Sequence, residues 1–356
     1  MLILSGLIDP HVHLREPGAT HKEDFDSGTA AALAGGFTAV LAMPNTQPPL
    51  TDHDSLAIAE AAAREKARCD YGLYVGAGQD NIGTVFRLAA RACGLKLYLD
   101  QTYGPLRLDD LDSLQKHLQA WPQEKPVAAH AEGRSLAAVI LLSALMDQPL
   151  HISHVSRADE IRLIARAKQR GFPLTCEVTP HHLFLTADDQ GALGKGRGEV
   201  RPRLATPADR QALWDHMDVI DCFATDHAPH TLEEKDSQNP PPGFPGLETA
   251  LPLMLSAVRE GRITMEELIE RMSNNPRRIF GLPPQVDTLV EVDEKAVWTV
   301  RASEFYSRCG WTPFEGRRVH GRVHKVTLRG QVVYQDGRVL AEPGTGRNLI
   351  TGPKTN

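Results

Sequence analysis

The sequence predicts an α/β protein built as a (β/α)8 barrel with a small C-terminal β subdomain. Three observations predict it. Eight short apolar runs alternate with Ala/Leu-rich segments of helical period, as repeated βα units around a parallel sheet do. Several of these runs end in histidine or aspartate, where a barrel enzyme carries its catalytic groups. From Val286 the pattern changes to strand-like alternation punctuated by turn dipeptides.

The strand runs fall at 7–14, 38–45, 71–78, 95–99, 127–131, 150–155, 174–178 and 219–226. Helical segments fit between them at 27–34, 55–68, 110–119, 135–146, 158–170 and 208–217. Eight such units closing on one another occupy residues 1–285. After the last run, 239–246 is too rich in proline and glycine for helix or strand and reads as a structured loop. Residues 286–356 form the β subdomain and C-terminal tail, with Asp336-Gly337 in KVTLRGQVVYQDGRVL as a hairpin signal.

A chain of 356 residues with 41% apolar content buries a substantial core. The net charge of -6 is spread over mixed signs, so no basic stripe marks a nucleic-acid surface and the expected partner is a small molecule. Cys69, Cys93, Cys176, Cys222 and Cys309 are too scattered for a disulfide framework or a thiolate zinc site, which fits a reducing cytoplasm. The start MLILSGLIDPH has no cationic lead, and nowhere do about eighteen apolar residues run together, so neither a signal peptide nor a membrane span is expected.

His11 and His13 lie two apart on the first strand, so both imidazoles leave the same face, as two nitrogen ligands of one ion require. Alone, the pair could be packed or solvated, His130 and His154 could be core histidines, and Asp226 could cap a following helix. Their convergence on one barrel mouth points instead to zinc or another divalent transition ion. Lys96, inside the apolar run GLKLYL, is either a salt-bridged lysine or a neutral amine able to take up carbon dioxide as a carbamate that bridges two ions. Two ions would share a hydroxide at neutral pH, and Asp226 could relay its proton to a leaving amide nitrogen. Arg15, Asn45 and His230 offer donors that hydrolysis alone does not need. An arginine fork matches a substrate carboxylate, the alternative being a salt bridge to Glu16 or Asp24. Arg201, in GEVRPRL, is a second candidate of the same kind.

The stretches GLIDPHVHLREPG, AMPNTQPPL, GLKLYL, AHAE, CEVTPHHLFL, GEVRP, ATDHAPHTLEEK, PPPGFPGLET and NNPRRIFGLPP resemble the class I dihydroorotase family of the amidohydrolase superfamily. They are especially similar to the dihydroorotase domain of the animal multifunctional pyrimidine-synthesis protein, from about Gly6 to the C-terminal β segment. The resemblance implies an amidohydrolase-type TIM barrel that reversibly cyclises N-carbamoyl-L-aspartate to L-dihydroorotate in de novo pyrimidine (UMP) biosynthesis. It implies two zinc ions bridged by N6-carboxylated Lys96 and a hydroxide, with His11, His13, His130, His154 and Asp226 as the other ligands. Arg15, Asn45 and His230 would hold the substrate carboxylate, with Pro242, Gly243 and Arg201 lining the pocket. Thr102 and Tyr103 match a Thr-Phe pair on a mobile loop that closes over the site. A third zinc in the animal-type domain uses a cysteine and a glutamate. Here those positions are Ser153 and Glu177, so a third ion is expected to be weak or absent. The chain also begins almost at the first barrel strand, so the strands that many relatives contribute to the β subdomain ahead of it are expected to be missing.

Hydantoinases, dihydropyrimidinases and allantoinases resemble this family in the barrel, the His-x-His and the carbamylated lysine. Arg15 argues against them, because beside a neutral ring it would be a buried charge with nothing to pair. Inactive relatives that scaffold aspartate transcarbamoylase typically lose metal ligands, whereas all six ligand positions are filled here. The partners expected from the resemblance are a second copy of the chain, in a homodimer, and aspartate transcarbamoylase.

Overall fold

In the computed structural model, residues 1–352 are described; 353–356, the end of the segment read as the C-terminal tail, lie outside the described residues. The chain opens with β1 (Leu2–Ser5) and enters the barrel through β2 (Leu7–Val12), β3 (Phe37–Ala42), β4 (Asp70–Leu73), β5 (Val75–Gly76) and β6 (Leu95–Tyr98). It continues through β7 (Val127–His130), β8 (Leu150–Ile152), β9 (Leu174–Val178) and β10 (Cys222–Phe223). All neighbours in β2-β3-β4 and in β5 through β10 pair in parallel. Tyr74 alone separates β4 from β5, so these two share one position in the ring. A parallel bridge between Val12 and His227 closes it, with the His13 N–H donating to the His227 carbonyl at 2.7 Å.

Strands covered on both faces need no polar side, which is why β3 is buried throughout and reads as an almost continuous apolar run, while β2, equally buried, interrupts its apolar residues with Asp9 and His11. The eighth run differs from its apolar pattern. Of 219–226 only Cys222–Phe223 joins the ladder, because Met217–Val219 forms a 3-10 turn and the backbone has left strand geometry by Asp226, with φ at 45°.

Helices Phe25–Ala34, His53–Lys66, Leu111–Ala120, Gly133–Leu145, Ala158–Gln169 and Pro207–Asp215 fill the expected connections. The first two begin two residues before the expected 27 and 55, because Asp24 and Asp52 cap them by accepting the N–H of Ser27 and Ser55. After β5 the connection holds only the 3-10 turns Gln79–Asn81 and Val85–Leu88. A further helix, Leu247–Arg259, has no counterpart among the helical segments read from the sequence. Buried over Leu247 to Ala257, it carries Pro252 in its interior and follows directly on the Pro/Gly-rich loop, two helix-breaking signals that hide its period in the sequence.

The small sheet runs in the order β1, β11 (Leu289–Thr299), β12 (Arg318–Leu328), β13 (Gln331–Gln335), β14 (Arg338–Val339), antiparallel throughout. This corrects the expectation that no strand ahead of the barrel joins it, since Leu2 pairs with Val292 and Ser5 with Leu289. The Asp336-Gly337 turn joins β13 to β14 with φ of 48° and 82°, and the second position suits glycine. Leu4, Val290, Val292, Val323 and Val326 belong to the same buried cluster as Leu33, Leu251 and Leu255, so the sheet rests on helices Phe25–Ala34 and Leu247–Arg259.

Candidate active site

The barrel buries six of the expected side chains: His11, His13, His130, His154 and Asp226 at or just past the C-terminal ends of its strands, and Lys96 within β6. His11 Nδ1 sits 2.5 Å from Glu177 Oε1, which leaves its Nε2 facing Asp226 Oδ1 at 3.2 Å. His13 Nδ1 bonds Asn45 Oδ1 at 2.7 Å, and its Nε2 lies 3.0 Å from the same Asp226 oxygen. An oxygen acceptor on each Nδ1 keeps the proton there and turns both Nε2 lone pairs toward the carboxylate. His11, His13 and Asp226 thus offer three ligand atoms within 4.8 Å of one another. Burial pushes His13 down to about 4, so its imidazole is neutral at physiological pH. Burial alone would raise the Asp226 carboxyl, but His11, His13 and His154 hold it well below the usual carboxylate range.

Opposite this cluster, His130 Nδ1 and His154 Nε2 face each other at 3.0 Å. Of their outer nitrogens, His154 Nδ1 is buried without a hydrogen-bond partner among the described residues, and His130 Nε2 has only the Glu132 carboxylate at 3.5 Å. Two nitrogens bound tetrahedrally to one zinc stand about 3.3 Å apart, so this pair is already spaced as ligands. Lys96, fully buried, donates to Ser153 Oγ at 2.5 Å and has no carboxylate partner among the described residues. Burial lowers its amine to about 8. Two imidazole Nε2 atoms aimed at an ionised carboxylate, with a second imidazole pair and a buried amine beside them, are a donor set that a divalent ion fits.

Glu177 accepts from His11 and, on its other oxygen, from His151 Nε2 at 3.1 Å, while the His154 N–H also points to it at 3.2 Å. Both its oxygens are therefore engaged in orienting histidines. His151, itself held by Thr175 Oγ1 at 2.8 Å, was not singled out in the sequence, because an apolar strand gives no sign of a buried polar relay.

Arg15 is buried and makes no ion pair among the described residues. Its two sequence neighbours in charge are spoken for: Glu16 pairs with Lys66 at 2.5 Å, and Asp24 with Arg308 at 2.8 Å. The guanidinium is fixed by Nε donating to Pro229 O at 3.0 Å, and Nη2 reaches His230 Nε2 at 3.0 Å. Arg15, His154 and Asp226 all adopt left-handed backbone, with φ of 60°, 36° and 45°, a costly geometry for residues with side chains that concentrates at functional sites.

One cavity of about 20 Å³, room for roughly one water, is lined by His11, His13, Arg15, Asn45, Thr102, Tyr103, His130, His154, Arg201, Asp226, Pro242 and Gly243, together with Tyr98 and Ala228. Lys96, Glu177 and His230 do not line it, His230 lying beside its lining residues Arg15, at 3.0 Å, and Gly243. Thr102 and Tyr103 come from the segment after β6, and Asn45 Nδ2 donates to the Tyr103 carbonyl at 2.9 Å. Arg201 lies at the rim, paired with Glu199 at 2.9 Å.

The Pro/Gly-rich loop is fixed from below by Lys235, fully buried, whose Nζ donates to the carbonyls of Glu199, Pro241 and Gly243 at 2.7, 3.0 and 3.2 Å. Gly243 has φ of 145°, and a Cβ there would stand 2.5 Å from Ala228 O and 3.2 Å from His230 Cδ2. Gly243→Ala is therefore expected to displace the loop by a fraction of an ångström and lower kcat/KM on the order of 10²-fold, read by steady-state kinetics on metal-replete protein. An unchanged kcat/KM would show that this close approach is dispensable.

The amidohydrolase family profile matches residues 2–333. The chain belongs to the amidohydrolase family. Over 347 residues this amidohydrolase is 55% identical to the multifunctional protein pyr1-3 of Dictyostelium discoideum, with 97% of this chain and 16% of that protein covered. The chain thus spans 16% of the length of that relative. It is 37% identical over 367 residues to the dihydroorotase of Pyrococcus furiosus, covering 99% of this chain and 86% of that one. Among solved structures, the L-hydantoinase of Arthrobacter aurescens superposes with a TM-score of 0.91 at 27% identity, covering 98% and 88% of the two chains. The inactive dihydroorotase-like domain of a Chaetomium thermophilum CAD-like multifunctional protein gives 0.84 at 29%, covering 98% and 99%. The expected barrel with a separate β sheet is the architecture of this family.

Proposed function

We propose that this amidohydrolase is a dihydroorotase, interconverting N-carbamoyl-L-aspartate and L-dihydroorotate for pyrimidine biosynthesis. The observation that carries the reading is Arg15, a buried guanidinium with no carboxylate partner among the described residues, set two residues beyond His13 at the mouth of the His/Asp cluster. A buried charge left unpaired is strongly unfavourable, so the site is built for an anionic substrate group, which dihydroorotate carries and hydantoin lacks. The relatives named dihydroorotase support the same reading.

His11, His13 and Asp226 would hold one zinc ion and His130 and His154 a second, with Lys96, carboxylated on its amine, between them. The same reading expects two ions per chain, without a third at Ser153 and Glu177. Bound there, the zinc ions supply a nucleophile at neutral pH and polarise the scissile carbonyl. The protein's own groups do the rest. Asp226, ionised and central to the cluster, takes the proton of the attacking water and delivers it to the ring nitrogen as the amide bond breaks; cyclisation reverses these steps. Arg15 and Asn45 orient the carboxylate, with His230, kept neutral by burial and by the Arg15 and Lys22 charges, as a further donor. Tyr103 and Thr102 cover the cavity and exclude water.

Assay of the zinc-loaded protein against dihydroorotate, carbamoyl aspartate, hydantoin and allantoin tests the reading. Turnover of the first two is expected, and a preference for either neutral ring would refute it. The reading extends to a cytoplasmic homodimer that associates with aspartate transcarbamoylase, supported by the likeness to multifunctional relatives. No helix among the described residues is long and apolar enough to cross a membrane.

A further inference from the structure

Lys22 lies outside every motif used so far, yet it is buried beside the proposed carboxylate pocket. Its Nζ has three partners. Glu234 Oε1 is 2.9 Å away, His230 Nδ1 is 3.2 Å away, and the Tyr103 hydroxyl is 3.4 Å away, with the Tyr103 ring centre at 4.9 Å. In the ion pair with Glu234 the ammonium has three hydrogens to donate and no lone pair.

That chemistry decides the tautomer of His230. An ammonium can only donate, so the nitrogen it faces, Nδ1, must accept, and the ring proton must sit on Nε2. There it is donated to Pro242 O at 3.1 Å. The other tautomer would satisfy only the contact with Arg15 Nη2, and would set an N–H against Lys22 and a lone pair against the Pro242 carbonyl. In the favoured tautomer, the Arg15 Nη2 hydrogens and the His230 Nε2 hydrogen lie side by side as two donors 3.0 Å between nitrogens, with one acceptor for the pair. Two adjacent donors short of an acceptor form a seat for a carboxylate. Tyr103 stands over that seat, its ring edge-on to His230 at 5.3 Å and its centre 5.3 Å from the Arg15 guanidinium carbon.

We propose that Lys22 is a positioning residue: its ammonium fixes His230 as the Nε2–H donor and, through the Tyr103 hydroxyl, holds the covering loop over the substrate carboxylate. This rests on the dihydroorotase reading for the ligand, although the tautomer does not depend on substrate. Tyrosine at 103 supplies the acceptor that a phenylalanine would lack, so the covering loop of this chain is tied by a polar contact as well as by ring packing.

Holoprotein labelled with ¹⁵N-histidine tests the proposal. With His230→Asn used to assign the signal, wild type is expected to show a protonated Nε2 and an accepting Nδ1 at residue 230. Lys22→Met should move that signal toward the Nδ1–H form and raise KM for dihydroorotate about tenfold or more, with kcat changed less than about threefold and zinc content unchanged. Tyr103→Phe should raise KM by a smaller factor and leave the tautomer in place. Glu234→Gln, at a half-buried position whose amide oxygen can still accept from the Thr231 N–H, should shift both readouts in the Lys22→Met direction if that variant does not fold. An unchanged His230 signal in Lys22→Met or, failing that, in Glu234→Gln overturns the proposal, as does an unchanged KM. A Lys22-dependent tautomer without turnover of dihydroorotate would overturn the functional reading and leave the tautomer assignment standing.

Discussion

Asp226→Asn is expected to lower turnover of dihydroorotate by about 10³- to 10⁴-fold while leaving zinc content near that of wild type. The substitution isolates basicity from shape. Asparagine keeps an oxygen where Asp226 Oδ1 now meets His11 and His13, but it cannot hold a proton between water and a departing nitrogen. It is also, with aspartate, among the side-chain-bearing residues that best tolerate left-handed backbone, which Asp226 adopts at φ 45°. Alanine would confound the loss of a proton carrier with strain at the strand end. Steady-state rates paired with metal analysis check the expectation, and a variant within about threefold of wild type would remove Asp226 from proton transfer.

The second large effect belongs to Lys96. Lys96→Arg is expected to lose bound zinc and activity together, by about 10³-fold or more in turnover, because a guanidinium stays charged and cannot take up carbon dioxide. The wild-type amine predicts a pH signature. Its pKa is lowered to about 8, chiefly by burial, so the ammonium dominates below that value and the neutral, reactive amine above it. At pH 7 about a tenth of the chains carry the neutral amine, and at pH 9 about nine tenths. Reconstitution of chelator-stripped protein with zinc at fixed dissolved carbon dioxide should therefore rise across this range and respond to added bicarbonate. His13, already lowered to about 4, contributes no change there. Reconstitution that ignores both pH and bicarbonate would sink the carbamate assignment.

The site residues on the strands were legible because a barrel converts strand order into shared location. A histidine at the end of β2 and another at the end of β7 need no long-range knowledge once both strands are assigned to one ring. Arg15 was legible for the same reason, two residues past His13. Lys22 and Lys235 were not, since each derives its role from groups far along the chain: Glu234 and His230 for the first, the Glu199, Pro241 and Gly243 carbonyls for the second. A lysine in a polar stretch such as THKEDF carries no sign that folding will bury it. The orienting role of Glu177 was hidden similarly, because its partners His11 and His151 come from other strands. In the fold, the helices between the strands followed from the alternation of segments, whereas Leu247–Arg259, interrupted by Pro252, and the pairing of β1 did not.

That pairing matters during synthesis. Leu2–Ser5 leaves the ribosome long before the strand it pairs with, Leu289–Thr299, and the bridge closing the barrel needs His227. At about 5–20 residues per second, the nascent chain carries its first strand without a partner for tens of seconds. Leu2 and Leu4 are meanwhile open to strangers, and Ile3, which stays exposed in the finished fold, gives that edge no charge to repel them. For this topology, yield in a cell depends on what guards four residues during the wait, and slowing translation between the two strands should aggravate aggregation.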